Sequence, residues 1–178
     1  MNHRRAYEVT LIALFAALTA IGAYMYLPLP FSPVPVTLQT FFTYLAIDLL
    51  KSRRAALSQL TYVAMGAFGL PVFAGGRAGV AVLVGPTGGY LAGFIVAAFL
   101  LGLCVDKMKK PSVEFFFVVN LAAFTLICLM GIVVLSYWIG FPQSLYLGFI
   151  FFIPGDIAKA LLAAVVAYKL QPVLAQHL

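Results

Sequence analysis

Two charged residues stand inside an otherwise apolar run near the C-terminus, Asp156 and Lys159. Their spacing of three puts both on one face of a helix. A charge near the centre of a membrane helix costs roughly 2.5–3.5 kcal/mol on insertion scales. An acid and a base placed there either pin their helix to its neighbours as an ion pair, or line a ligand cavity or pathway. Pro154-Gly155 precedes them, and that pair starts or kinks a helix, leaving Asp156 near a first turn. Arg77 is the second candidate. It sits among Gly75, Gly76 and Gly79, where backbone can approach a ligand closely. A guanidinium suits a carboxylate through two parallel hydrogen bonds, and a solvated loop charge is the plainer reading.

Softer candidates surround these. Thr37, Gln39 and Thr40 follow a proline-rich stretch, where they can bond a ligand or satisfy loop backbone. Thr87 and Tyr90 flank the glycines of Gly85–Tyr90, and Tyr90 offers a ring and a hydroxyl to a pocket or to an interfacial aromatic belt. Asp48 is close enough to Lys51, Arg53 and Arg54 to pair with that basic turn, and Asn120 carries little signal of its own. The sequence has no phosphate-loop motif, no H-E-x-x-H and no G-x-S-x-G elbow, and its histidines, His3 and His177, are terminal. No catalytic set and no metal site are expected. Cys104 and Cys128 lack metal or redox spacing and read as buried free thiols.

The elements that must position these residues are membrane spans. Of 178 residues, 64% are hydrophobic and 9% charged, against about 45–50% and 25% in soluble domains. The surface must therefore face something apolar. Six spans are expected: about 7–27, 36–50, 55–68, 90–105, 115–137 and 145–170. A span of about 20 apolar residues crosses the hydrocarbon at ~1.5 Å per residue. The proline-rich 28–35 reads as an extended or turning loop and the glycine-rich 69–79 as a loop, 80–84 is a short apolar segment of open type, and 140–144 reads as a turn. Arg4 and Arg5 ahead of an apolar run resemble a signal peptide, but the run exceeds the usual ~7–15 residues and is read as a retained first helix. The net charge of +6 does not indicate nucleic acid, because it is clustered between apolar runs. With the N-terminus inside, Arg4, Arg5, Lys51, Arg53, Arg54, Lys107, Lys109, Lys110 and Lys169 all fall inside and only Arg77 outside. That asymmetry selects an even number of spans with both ends in the cytoplasm.

The fold class is thus an all-α membrane protein with six transmembrane helices, N-in and C-in, and residues 1–178 forming a single transmembrane domain. Ala13/Ala17 and Ala16/Ala20 in the first span make overlapping small-x-x-x-small pairs, suited to internal packing or to docking another membrane protein. Gly89 and Gly93 repeat the pattern, with internal packing favoured.

Several short stretches, in order and over nearly the whole chain, resemble the BioY family. They are Pro33-Val34-Pro35-Val36-Thr37-Leu38-Gln39-Thr40, Gly66–Phe73 with Gly75-Gly76, Gly85-Pro86-Thr87-Gly88-Gly89-Tyr90, and Pro154-Gly155-Asp156 with Lys159. Each alone is weak; together they are specific. The resemblance implies a biotin-binding S component of a prokaryotic energy-coupling factor (ECF) transporter, multi-pass in the cell membrane. Its partners would be a transmembrane coupling protein and two ATP-binding-cassette ATPases, with biotin as transported ligand and no cofactor. The S component is thought to topple in the membrane and so carry the vitamin across. The implied biotin residues are Asp156, Lys159, Arg77, Tyr90, Gln39, Thr37, Phe73 and Gly75. The implied partner-docking residues are Ala13, Ala16, Ala17 and Ala20. Biotin's ureido ring donates two N–H groups and accepts at one carbonyl, its thioether ring is apolar, and its tail is a carboxylate. Asp156 can accept a ureido N–H, Lys159 or Arg77 can meet the carboxylate or the carbonyl, and Phe73 and Tyr90 can pack on the bicycle. The residues leave two rivals open: a stand-alone proton-coupled carrier, and a small intramembrane enzyme using Asp156 and Lys159.

Overall fold

A computed structural model describes residues 3–175; the side chain of Arg4 and all of His177 lie outside the described residues. Helix α1 runs His3–Tyr24 and is followed by a two-stranded antiparallel hairpin, β1 (Tyr26–Leu29) and β2 (Ser32–Thr37), with Tyr26 opposite Thr37. The extended or turning loop expected for the proline-rich stretch is therefore a short paired hairpin. Prolines are tolerated there because both strands are edges and need give no further N–H to a ladder. The first span also ends three residues earlier than expected, at Tyr24.

Helix α2, Gln39–Ala67, is broken at one residue: Lys51 has φ 67° and ψ −174°, a region that costs a non-glycine residue about 1–3 kcal/mol. The chain reverses there. Gln39 meets Tyr62 and Thr43 meets Gln59 across the bend, so the arms 39–50 and 52–67 run antiparallel. The expected turn over Lys51–Arg54 is thus compressed into a single residue. Gly102 of α4 (Gly88–Lys107) lies against it, where an added Cβ would come within 2.4 Å of the Ser52 Cα.

The segment after the second arm contains α3 (Val80–Leu83), which settles the short apolar stretch as one helical turn. Helix α5 (Val113–Ile139) starts at Ser112, whose hydroxyl accepts from the Phe115 N–H. Its buried stripe of Phe116, Asn120, Ala123, Ile127, Gly131 and Leu135 follows the helical repeat. The sixth span is divided. Helix α6 (Phe141–Gly148), with Pro142 in its first turn, replaces the expected 140–144 turn. A 3₁₀ turn (Ile150–Phe152) then leads into α7 (Ile153–Ala175).

The α2 hairpin is the hub, packed against α1, α4 and α7, while α5 joins α4 to α7 and carries α6. Gly89 and Gly93 sit at the α4–α5 crossing, where added Cβ atoms would meet the Met130 carbonyl at 2.4 Å and the Ile127 Cα at 3.0 Å. Large apolar side chains face outward, among them Val118, Leu129 and Val133 of α5 and Leu161 and Leu162 of α7. Four helical stretches, α1, α4, α5 and α6–α7 together, are long and apolar enough to cross a bilayer, and the two shorter arms of α2 bring the helical passes of the bundle to six. The chain is a multi-pass membrane protein. Arg5, Lys51, Arg53, Arg54 and Asp106 gather at one end, and Arg54 pairs with Glu8 at 2.8 Å. Cys128 is buried, but Cys104 is exposed on α4 rather than buried as expected; both are free thiols.

Candidate functional site

The opposite end holds a small cavity of about 60 Å³ between β2, the first arm of α2, the 73–77 loop, α4, α5 and the start of α7. The start of α7 supplies its charges. Pro154 occupies the first turn, where its missing N–H costs nothing. Asp156 also falls in that turn, where the helix dipole favours an anion.

Asp156 and Lys159 are 2% and 9% exposed and bonded to each other, Nζ to Oδ2, at 2.9 Å. The other carboxylate oxygen, Oδ1, accepts from the Tyr44 hydroxyl at 3.0 Å. Lys159 also donates to the Thr37 carbonyl at 3.1 Å and to the Thr40 hydroxyl at 2.7 Å. All three ammonium donors are thus engaged, by α7, β2 and α2. A carboxylate offers about four lone-pair sites, so Asp156 keeps acceptor capacity for a ligand N–H without breaking either bond. The pair both pins α7 and lines a cavity, so the two readings of its spacing coexist.

Aromatic rings form the walls. Tyr90 lines the cavity with its ring, while its hydroxyl donates to the Gly148 carbonyl at 2.9 Å and so holds α6 in place. A Cβ on Gly131 would come within 2.3 Å of that ring. Phe73 is seated in the same way, over Gly66 at 2.1 Å, and meets Tyr62 edge-on at 5.7 Å. The Tyr62 hydroxyl takes a hydrogen bond from Gln39 at 2.5 Å and donates to the Val72 carbonyl at 3.2 Å. Arg77 stands at the exposed rim, its Nε donating to the Ala74 carbonyl at 3.0 Å, and it makes no ion pair among the described residues.

The structure gathers Asp156, Lys159, Arg77, Tyr90, Gln39, Thr37 and Phe73 around one cavity, with Thr40 and Thr87 beside them. Gly75 is not in its lining. It sits in the adjoining outer groove, at φ +73° near the Tyr26 ring, and shapes the turn that carries Arg77. Of the small residues on α1, Ala16 and Ala20 are buried within the bundle, whereas Ala13 and Ala17 are exposed in line with Ile21 and Tyr24. Asp48 does not pair with the basic turn. It accepts from the Asn120 amide at 3.0 Å, because its side chain points toward α5 and α7. Sequence reasoning missed Tyr44 and the apolar lining from Phe94, Phe124, Ile127 and Phe152. An apolar residue in an apolar span carries no local signal. The one available cue for Tyr44 is a hydroxyl-bearing ring within a hydrophobic run.

The BioY family's sequence profile matches residues 1–176. The chain is 40% identical to the biotin transporter BioY of Thermotoga maritima over 159 residues, covering 89% of this chain and 92% of that one. It is 41% identical to the probable biotin transporter BioY of Pyrococcus horikoshii over 167 residues, covering 94% and 98%. Its fold superposes on the crystal structure of the S-component for biotin from an ECF-type ABC transporter with a TM-score of 0.90. That match has 29% identity and covers 97% of this chain and 94% of that one. With the match running almost end to end, the chain belongs to the BioY family.

Proposed function

We infer that this chain is the biotin-binding membrane subunit of an ECF-type uptake system in a prokaryotic cell membrane. The observation that carries this reading is the cavity's charge layout. A carboxylate with spare acceptor sites lies at the inner end, and an exposed guanidinium with no ion pair among the described residues stands at the rim. Biotin fits that polarity. Its ureido N–H groups meet Asp156, its apolar bicycle lies among Phe73, Tyr90 and Phe124, and its carboxylate tail points outward to Arg77. Lys159 is already engaged three ways and neutralises Asp156. Arg77 is therefore the cation assigned to the tail, through charge-assisted hydrogen bonds. Gln39 and Thr37 support the wall, and Gly75 acts indirectly by shaping the Arg77 turn.

Residues 1–178 act as one substrate-binding unit. The exposed Ala13/Ala17 stripe of α1 is the docking face for the coupling protein, and Ala16 and Ala20 contribute by packing α1 against the bundle behind it. Two ATP-binding-cassette ATPases complete the system, and the chain itself performs no catalysis. Calorimetry of the purified chain with biotin, with dethiobiotin and thiamine for comparison, tests the substrate. Tight, roughly one-to-one biotin binding with thiamine silent is the expected result. No binding by a folded sample overturns it.

A further inference from the structure

A second carboxyl group lies in the membrane-embedded part, outside the cavity lining. Asp48 and Asn120 are 2% and 0% exposed. The Asn120 amide nitrogen donates twice, to Asp48 Oδ2 at 3.0 Å and to the Ala160 carbonyl at 3.3 Å. That double donation fixes which end of the amide is nitrogen, since the reverse assignment would set an oxygen against the Ala160 carbonyl. Two side-chain atoms are then left buried with no hydrogen-bond partner among the described residues: Asp48 Oδ1 and Asn120 Oδ1. Both are acceptors in an ionised carboxylate facing an amide, and two bare acceptors are costly where no water reaches.

Cations do not resolve this. Among the described residues the ion pairs are Arg54–Glu8 and Lys159–Asp156. On α2 itself, Tyr44 donates to Asp156 and Lys51 is exposed at the reversal. On α7, Lys159 is spent on Asp156, Thr37 and Thr40. On α4, Asp106 is bonded to Ser52 and Lys107 is exposed. On α5, Glu114 is exposed at the helix start, and Cys128 lies two turns along from Asn120.

We propose that Asp48 is a proton-binding site: its Oδ1 carries a proton and donates it to Asn120 Oδ1, closing a head-to-head ring of carboxylic acid and amide. One proton then satisfies both orphan atoms, and the Asn120 amide keeps its two donated bonds. The ring joins α2, α5 and α7, and its bond to Ala160 lies one residue from Lys159. The bound proton thereby fixes the part of α7 that carries the cavity's ammonium. This assignment does not depend on what the cavity binds.

Infrared difference spectra of the purified, ligand-free chain in lipid, wild type against Asp48→Asn at neutral pH, test it. The expected difference is loss of one protonated-carboxyl carbonyl band, which shifts on exchange into D₂O. The variant should fold with an unchanged melting temperature, because an amide at position 48 can donate and accept as the neutral acid does. Carboxylate bands in the difference spectrum would mean an ionised, water-bridged Asp48 and would overturn the assignment. Failure of Asp48→Asn to fold would overturn it equally, since the neutral isostere would then not replace the native group.

Discussion

Asp156 and Asp48 are equally hidden, each 2% exposed, yet their surroundings have opposite character. Asp156 has an ammonium on one oxygen and a phenol hydroxyl on the other, and it borders the cavity. Asp48 has a single amide and, among the described residues, no ion pair, and it lies toward the basic end, three residues from the Lys51 reversal. Burial alone does not decide what a carboxyl group does in a membrane. A charged partner on one oxygen leaves a carboxylate with acceptor sites for a ligand's N–H. An amide with an orphan oxygen calls for a proton instead.

That contrast can be broken by substitutions, the largest effect coming first. Lys159→Met strands Asp156 as a lone buried charge and should cost about 3–5 kcal/mol of stability, together with biotin binding. Thermal unfolding and calorimetry would read both, and an unchanged melting temperature would show that the cation does not hold Asp156. Asp156→Ala removes the acceptor and should weaken biotin more than about tenfold, since hydrogen bonds to charged groups contribute roughly 1.5–3 kcal/mol. Gly131→Ala drives a methyl into the Tyr90 ring, and overpacking of this kind costs typically about 1–3 kcal/mol. Its measured signature should be lost stability together with reduced affinity, because Tyr90 both lines the cavity and tethers α6.

Tyr44→Phe deletes one of the two bonds to Asp156 and should weaken binding by about tenfold or less, as expected for ~1 kcal/mol. Asp48→Asn comes last and should leave biotin affinity within about twofold, well under the 1.4 kcal/mol that a tenfold change requires. A large loss from Asp48→Asn beside a mild one from Asp156→Ala would reverse the roles assigned to the two acids.

Much of the architecture was legible because lipid imposes simple rules. Long apolar runs have to be helices, and the basic clusters at residues 51–54 and 107–110 mark the turns on one side. The reversal after Leu50 was expected, but its compression into Lys51 was not, because the close approach of Gly102 permits it. The four prolines of 28–35 marked an extended or turning stretch, but not the pairing of 26–29 with 32–37, because an isolated edge pair leaves no repeating pattern in the sequence. The small residues of α1 also needed coordinates to be separated. Periodicity offered both Ala13/Ala17 and Ala16/Ala20, and only packing shows that the second pair faces inward.

From sequence alone came the six crossings, the shared side of the basic turns and the Asp156–Lys159 pair. These depend on composition and on separations of a few residues, where one helix repeat fixes the geometry. Tertiary structure alone decided what those charges touch. The bond from Tyr44 to Asp156 spans 112 residues, that from Lys159 to Thr37 spans 122, and that from Asn120 to Asp48 spans 72. In a chain that is apolar nearly throughout, no local pattern records which faces meet. Helix packing sets that, through glycines such as Gly66 and Gly131 that leave room for one particular ring.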